Sequence, residues 1–212
     1  STFKIVTTLA AQIAGKFSSS RLIHCAGYYT MGNRRFRCLG RHGSIPFRTA
    51  MAKSCNVYFS TLAVEAGPTA LREACKTVGL GDRTGIDLLG ETKGVVPTQA
   101  WIERWRKPPV WYGGDTVNFG IGQGEMSASP IQMAGVAAFV ANQGVSFRPR
   151  LVKAIAEPGS GIVRPVAPVE DHRFEGTPDF WSAMSGALQA VVSEGTARSA
   201  AVAGFQVAGK TG

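Results

Sequence analysis

The sequence has no apolar run that approaches the roughly 18 residues a membrane-spanning helix requires. Internal repeats and low-complexity tracts are also missing, which excludes repeat arrays and flexible linkers. Charged residues make up only 17% of the 212 residues against 44% hydrophobic, a balance that excludes intrinsic disorder. No C-x-x-C pair occurs among the four cysteines, Cys25, Cys38, Cys55 and Cys75, and their spacing matches no strong zinc signature. There is no signal-peptide pattern, because Ser1 leads at once into an amphipathic stretch. Both ends read as cut from a longer chain.

Positive charge is plentiful. With 23 basic residues against 14 acidic, the net charge of +9 favours an anionic partner: nucleic acid, acidic lipid or an anionic wall polymer. No RNA- or DNA-binding signature accompanies it, so nucleic acid is not expected. Arg34, Arg35, Arg37 and Arg41 share a Gly-rich loop and read as a solvated face. Cys25 and Cys38 bracket that loop, with His24 and His42 beside them. Three readings stay open for them: a disulfide, free thiols, or a small structural zinc site using Cys25, Cys38 and His42.

Phe3, Val6, Leu9, Ala10 and Ile13 recur at helical spacing, predicting a buried helix from Ser1 to Ala14 stopped by Gly15. Residues 16–44 read as irregular. A helix follows from Pro46 to about Lys53, then a break at Ser54–Asn56, a second helix to Gly67, and a third from Pro68 to Gly79. Residues 81–124 read as loop with a short strand at Ile86–Leu88. Ser129-Pro130 and Thr177-Pro178 each pair a cap with a first-turn proline and open two further helices. Strands are expected at 145–155 and 205–209, either side of a Pro- and Gly-rich excursion at 157–170. Helices first and strands late argue for a mixed α+β fold.

Three short motifs carry chemistry. Ser1-Thr2-Phe3-Lys4 sets a hydroxyl and an ammonium three residues apart at a helix start, so Lys4 can reach Ser1 and take its proton once its pKa is lowered. Alone, such a pair arises about once by chance in a chain this long. Ser54-Cys55-Asn56 offers a hydroxyl and an amide two residues apart, although a helix cap explains either residue as well. Lys210-Thr211-Gly212 offers a cation, a carboxylate-binding hydroxyl and a glycine that admits a close backbone. In this order the three resemble the Ser-x-x-Lys, Ser-Asp-Asn, Lys-Thr-Gly set of penicillin-binding proteins and class A β-lactamases, with Cys55 in place of the central Asp of the second motif.

On these motifs the chain resembles the transpeptidase domain of class B penicillin-binding proteins, most nearly the elongation-type penicillin-binding protein 2. Gly114-Asp115-Thr116, Gly120-Ile121-Gly122-Gln123-Gly124, Ser129-Pro130-Ile131-Gln132-Met133, Gly94-Val95-Val96-Pro97-Thr98 and Val191-Val192-Ser193-Glu194-Gly195-Thr196-Ala197 are similar to family segments. They extend the likeness over nearly all of 1–212, a single domain core. The resemblance implies a penicillin-recognising serine transpeptidase fold, a helical lobe plus an antiparallel sheet, truncated at both ends. It implies that Ser1 attacks the penultimate D-alanine of a peptidoglycan stem peptide or a β-lactam ring, with Lys4 accepting its proton. Ser54 and Asn56 would relay protons and orient the acyl chain, Lys210 would set the electrostatics, and Thr211 and Gly212 would take the terminal carboxylate and backbone. The oxyanion hole would use the Ser1 N–H and one beyond Gly212, so the isolated fragment is expected to be inactive. No cofactor is required. The implied parent is anchored on the outer face of the inner membrane by an upstream helix and works with a membrane glycosyltransferase. A serine β-lactamase or β-lactam sensor is the first alternative, a non-catalytic wall-binding module the second.

Overall fold

The computed structural model describes all residues, 1–212. Helix α1 (Lys4–Ile13) runs through its centre, with every residue from Lys4 to Ala11 buried. Along this buried stretch, apart from Lys4, only hydroxyls interrupt the apolar surface: Thr8 Oγ1 donates to the Lys4 carbonyl at 2.8 Å and Thr7 Oγ1 to the Gly120 carbonyl at 2.6 Å. The helix begins at Lys4 rather than at Ser1; Ser1 and Thr2 lead in through tight turns closed by the Lys4 and Ile5 N–H groups.

Around α1 pack α2 (Phe47–Ala52) and α3 (Asn56–Thr77), then α4 (Gln99–Trp105), α5 (Gly113–Phe119), α6 (Pro130–Ala141) and α7 (Pro178–Ser193). Within α3 the chain breaks helical geometry at Gly67 (φ 82°), so Pro68 opens a new segment without losing a donor, as its sequence predicts. The cap-plus-proline starts of α6 and α7 form as predicted: the Ser129 hydroxyl accepts from Gln132 N–H and the Thr177 hydroxyl from Phe180 N–H. Phe17, Phe47, Phe59, Phe139, Phe180 and Trp181 fill the space between α1, α3, α6 and α7 in one continuous apolar core.

The β-structure consists of four small antiparallel pairs: β1 (Ile23–Cys25) with β4 (Gly43–Ile45), β2 (Tyr28–Met31) with β3 (Arg34–Arg37), β5 (Val145–Phe147) with β8 (Glu170–Arg173), and β6 (Ala154–Ala156) with β7 (Val163–Pro165). Residues 16–44, read as irregular, therefore hold two ladders, and the strand read over 145–155 is split into two. Ile86–Leu88 forms no strand, and 205–209 is irregular and joins no ladder, tied by Gly209 N–H to the Leu188 carbonyl at 3.1 Å. Alternation alone makes no strand; a ladder also needs a neighbour.

Candidate active site

Ser54 occupies the position that builds the site. Helix α2 ends in a paired turn in which Ser54 N–H reaches the Met51 carbonyl (3.1 Å) and Cys55 N–H reaches Ala50 (2.9 Å). That turn demands a left-handed residue, normally glycine, and here Ser54 takes it at φ 52°. A non-glycine residue there costs on the order of 1–3 kcal/mol and persists because its surroundings hold it. Lys4 is what holds it: its ammonium donates to the Ser54 carbonyl (2.7 Å), the Ser54 hydroxyl (2.8 Å) and Asn56 Oδ1 (2.8 Å).

All three Lys4 protons are thus committed, and none goes to Ser1. The link to Ser1 runs through Ser54, whose Oγ accepts from Lys4 and from Lys210 (3.0 Å) and donates to Ser1 Oγ at 3.4 Å. The spacing of Ser1 and Lys4 suggested a direct contact; the structure interposes a second hydroxyl. Burial, followed by the nearby Lys210 cation, lowers the Lys4 pKa from 10.5 to about 8, against an opposing pull from Cys38 and Cys55. Burial alone lowers Lys210 to about 8 as well. Both lysines therefore change charge close to neutral pH, as a proton acceptor or an adjustable cation requires.

Thr211 completes the cluster. Its hydroxyl meets Thr196 Oγ1 at 2.9 Å and receives Lys210 Nζ at 3.2 Å. Thr196 belongs to the Val191–Ala197 segment, and its N–H donates to the Ala52 carbonyl at the end of α2 (3.1 Å). Gly195 must be glycine there, since a Cβ would stand 2.4 Å from that carbonyl. Ser1, Lys4, Ser54, Asn56, Lys210 and Thr211 thus converge from the start, middle and end of the chain. Gly212 follows them, lying beside the Thr2 side chain.

The glycine block acts from beneath. A Cβ on Gly120 would stand 2.1 Å from Ala63 Cβ, and one on Gly122 would stand 2.6 Å from Phe3 Cβ, so this loop seats α5 against α3 and the turn carrying Ser1. Arg106 was not singled out by the sequence, yet it clamps the same loop with Asp115 (2.6 Å) and Glu125 (2.8 Å). Asn118, equally unmarked, lines the groove in front of Ser1 together with Gln123 of the glycine block.

Behind Asn56 lies a second cluster. The ligand atoms of Cys25, Cys38, His42 and Cys55 all lie within 4.8 Å of one another. The sulfurs of Cys38 and Cys55 are 3.8 Å apart, and Cys38 Sγ is 3.7 Å from His42 Nδ1. All four cysteines are free thiols, so Cys25 and Cys38 form no disulfide. Cys38 is the acidic member: the hydrogen bond from Cys55 and backbone N–H groups hold its thiol well below the usual range, while Cys55 is pushed up. Cys55 was missed as a ligand because it stands far along the sequence, inside another motif.

A buried lysine bonded to one hydroxyl, which in turn donates to the Ser1 hydroxyl just ahead of α1, is an arrangement able to activate a serine oxygen. The profile of the penicillin binding protein transpeptidase domain matches residues 1–212, and the chain belongs to that family. It is 34% identical over 224 residues to the peptidoglycan D,D-transpeptidase MrdA of Haemophilus influenzae, covering 100% of this chain and 33% of that protein. It is 33% identical to penicillin-binding protein PbpB of Mycolicibacterium smegmatis, over 99% of this chain and 32% of the relative. The crystal structure of Pseudomonas aeruginosa PBP2 superposes with a TM-score of 0.86 at 32% identity, covering 100% of this chain and 49% of that one. The chain spans a third or less of the length of these curated relatives.

Proposed function

We propose that this domain performs D,D-transpeptidation in a longer, membrane-anchored parent that cross-links peptidoglycan outside the cytoplasm. The observation that carries the reading is the chain of contacts from Ser1 through Ser54 to a lysine whose pKa has fallen to about 8. With Lys4 neutral, the Ser1 proton passes to Ser54 Oγ while the Ser54 proton passes to Lys4 Nζ. The Ser1 oxygen bonds to the penultimate D-alanine carbonyl, the C–N bond breaks, and the departing D-alanine amine takes the proton back along the relay. An amine of a second stem peptide then attacks the Ser1 ester and returns a proton to Ser1. Lys210 and Thr211 hold the terminal carboxylate of the first peptide. β-Lactams would acylate Ser1 in the same way, and a penicillin-binding protein of Mycobacterium tuberculosis, 32% identical with a TM-score of 0.81, has been solved with aztreonam. No helix here is long and apolar enough to cross a membrane. A peptidoglycan synthase complex that coordinates polymerization and crosslinking contains a chain 30% identical to this one, which supports a glycosyltransferase partner. A fluorescent penicillin should label the full-length parent, and Ser1→Ala should abolish the label. Label that survives overturns the nucleophile; rapid release of hydrolysed drug points to a β-lactamase instead.

A second reading concerns zinc. We propose that Cys25, Cys38, His42 and Cys55 hold a structural zinc ion. Three thiols and an imidazole are a closed tetrahedral zinc set, and zinc–sulfur bonds of about 2.3 Å imply ligand separations of about 3.8 Å. The Cys38–Cys55 and Cys38–His42 separations fit that edge. Backbone N–H groups of Asn56 and Tyr58 already point at the two sulfurs, as outer-shell donors to thiolates do. The ion would tie the segment after β3 to Cys55, the residue that caps α3, beside Asn56.

A further inference from the structure

The Arg-rich segment that reads as a solvated face in sequence forms one wall of the groove in front of the nucleophile. That groove, of about 380 Å³, is lined by Ser1, Asn56, Asn118 and Gln123 on one side and by Arg34, Arg35, Phe36 and Arg37 of β3 on the other. None of the three arginines has an ion-pair partner, and no carboxylate lines the groove. The field of Arg34 does reach Asp115, but that carboxylate is committed to Arg106.

The wall is braced on both sides. The Arg37 carbonyl accepts Asn56 Nδ2 at 3.2 Å, and Phe36 and Met31 close on Gly114 and Gly113 at the start of α5. Its guanidiniums are pre-positioned as well: Arg35 lies 4.7 Å from the Tyr28 ring centroid and Arg34 4.9 Å from that of Phe36. Stacked guanidiniums lose less freedom on meeting an anion, and each presents a fork matched to a carboxylate.

The direction of a bound peptide follows from the proposed reaction, on which this inference rests. Lys210 and Thr211 take the terminal carboxylate and do not line the groove. The acyl part, on the other side of the scissile bond, therefore runs past Asn56 into it. We infer that the β3 arginines select a donor peptide whose acyl part carries two or more free carboxylates, and that they discriminate against the same peptide in amidated form.

The test compares two peptides ending in D-Ala-D-Ala, one with two carboxylates in its acyl part and one with both amidated, by D-alanine release from the full-length protein. The native protein should prefer the diacid roughly tenfold or more in kcat/KM, with the preference shrinking as salt is raised. Arg35→Gln combined with Arg37→Gln should bring the ratio towards one, and Arg35→Glu with Arg37→Glu should invert it. Equal use of both peptides by the native protein overturns the inference, as does a salt-independent preference or one that survives the glutamine pair. Fluorescent penicillin labelling of Ser1 separates the two failures: without it, the acyl-transfer reading itself falls.

Discussion

The Lys4 ammonium donates to both oxygens of Ser54, the carbonyl at 2.7 Å and the hydroxyl at 2.8 Å. One contact holds the strained backbone of Ser54 and the other aims its hydroxyl, so the same lysine builds the relay and works it. Ser54→Ala keeps the turn but removes the only group linking Ser1 to Lys4. Acylation by penicillin should fall by roughly 10²-fold or more in rate constant, measured by stopped-flow labelling, with Tm little changed.

The pH profile follows from the two lysines. Lys4 must lose its proton to act as the base, so acylation rises as pH approaches about 8 from below. Lys210 must keep its proton to attract the substrate carboxylate, so activity falls as pH rises past about 8. The product is a narrow bell for kcat/KM with its maximum near 8. Lys210→Arg keeps the cation at all relevant pH values, so the alkaline limb should disappear while the acid limb stays.

Lys4 also links pH to stability. Its folded-state pKa of about 8 lies below the ordinary 10.5, so between those values the unfolded chain binds more protons and stability rises with pH. Other groups titrate in that window too, so the test is a difference: ΔG of unfolding of the native protein minus that of Lys4→Met should increase from pH 8 to pH 10, measured by urea titration.

The zinc reading predicts about one metal ion per chain after purification under reducing conditions, measured by inductively coupled plasma mass spectrometry. His42→Ala, which removes a half-buried ligand, should lose that metal, and a strong chelator should lower the Tm of the native protein. A metal-free native protein rejects the proposal.

Gly120→Ala tests the seat beneath the nucleophile. The new methyl would stand 2.1 Å from Ala63 Cβ, so α5 must move away from α3. A loss of about 1–3 kcal/mol in stability is expected, visible as a lower Tm, together with slower labelling of Ser1.

Much of this was legible because it is local. The helix starts at Ser129-Pro130 and Thr177-Pro178 and the break at Gly67-Pro68 depend on capping and on proline's missing donor, and neither needs a distant neighbour. By contrast, the expected strand at 205–209 lacks the partner that would make it one. Helices α4 and α5 escaped notice because each spans only 7 residues, too short for helical periodicity to show. The β2–β3 hairpin hid for the same reason in a stretch read as irregular.

By itself the sequence determined the chemical inventory: a serine and lysine at a helix start, Ser54 with Asn56, and a terminal Lys-Thr-Gly, in an order specific enough to mark the family. Residue types and short spacings are properties of the chain, so no fold is needed to read them. Only the tertiary structure decided how they connect. It placed Ser54 between Ser1 and Lys4, added Cys55 to the cysteine–histidine cluster, and turned the arginine loop into a wall of the groove. Each of these depends on contacts between residues far apart in sequence, and such contacts are set by packing around the buried α1.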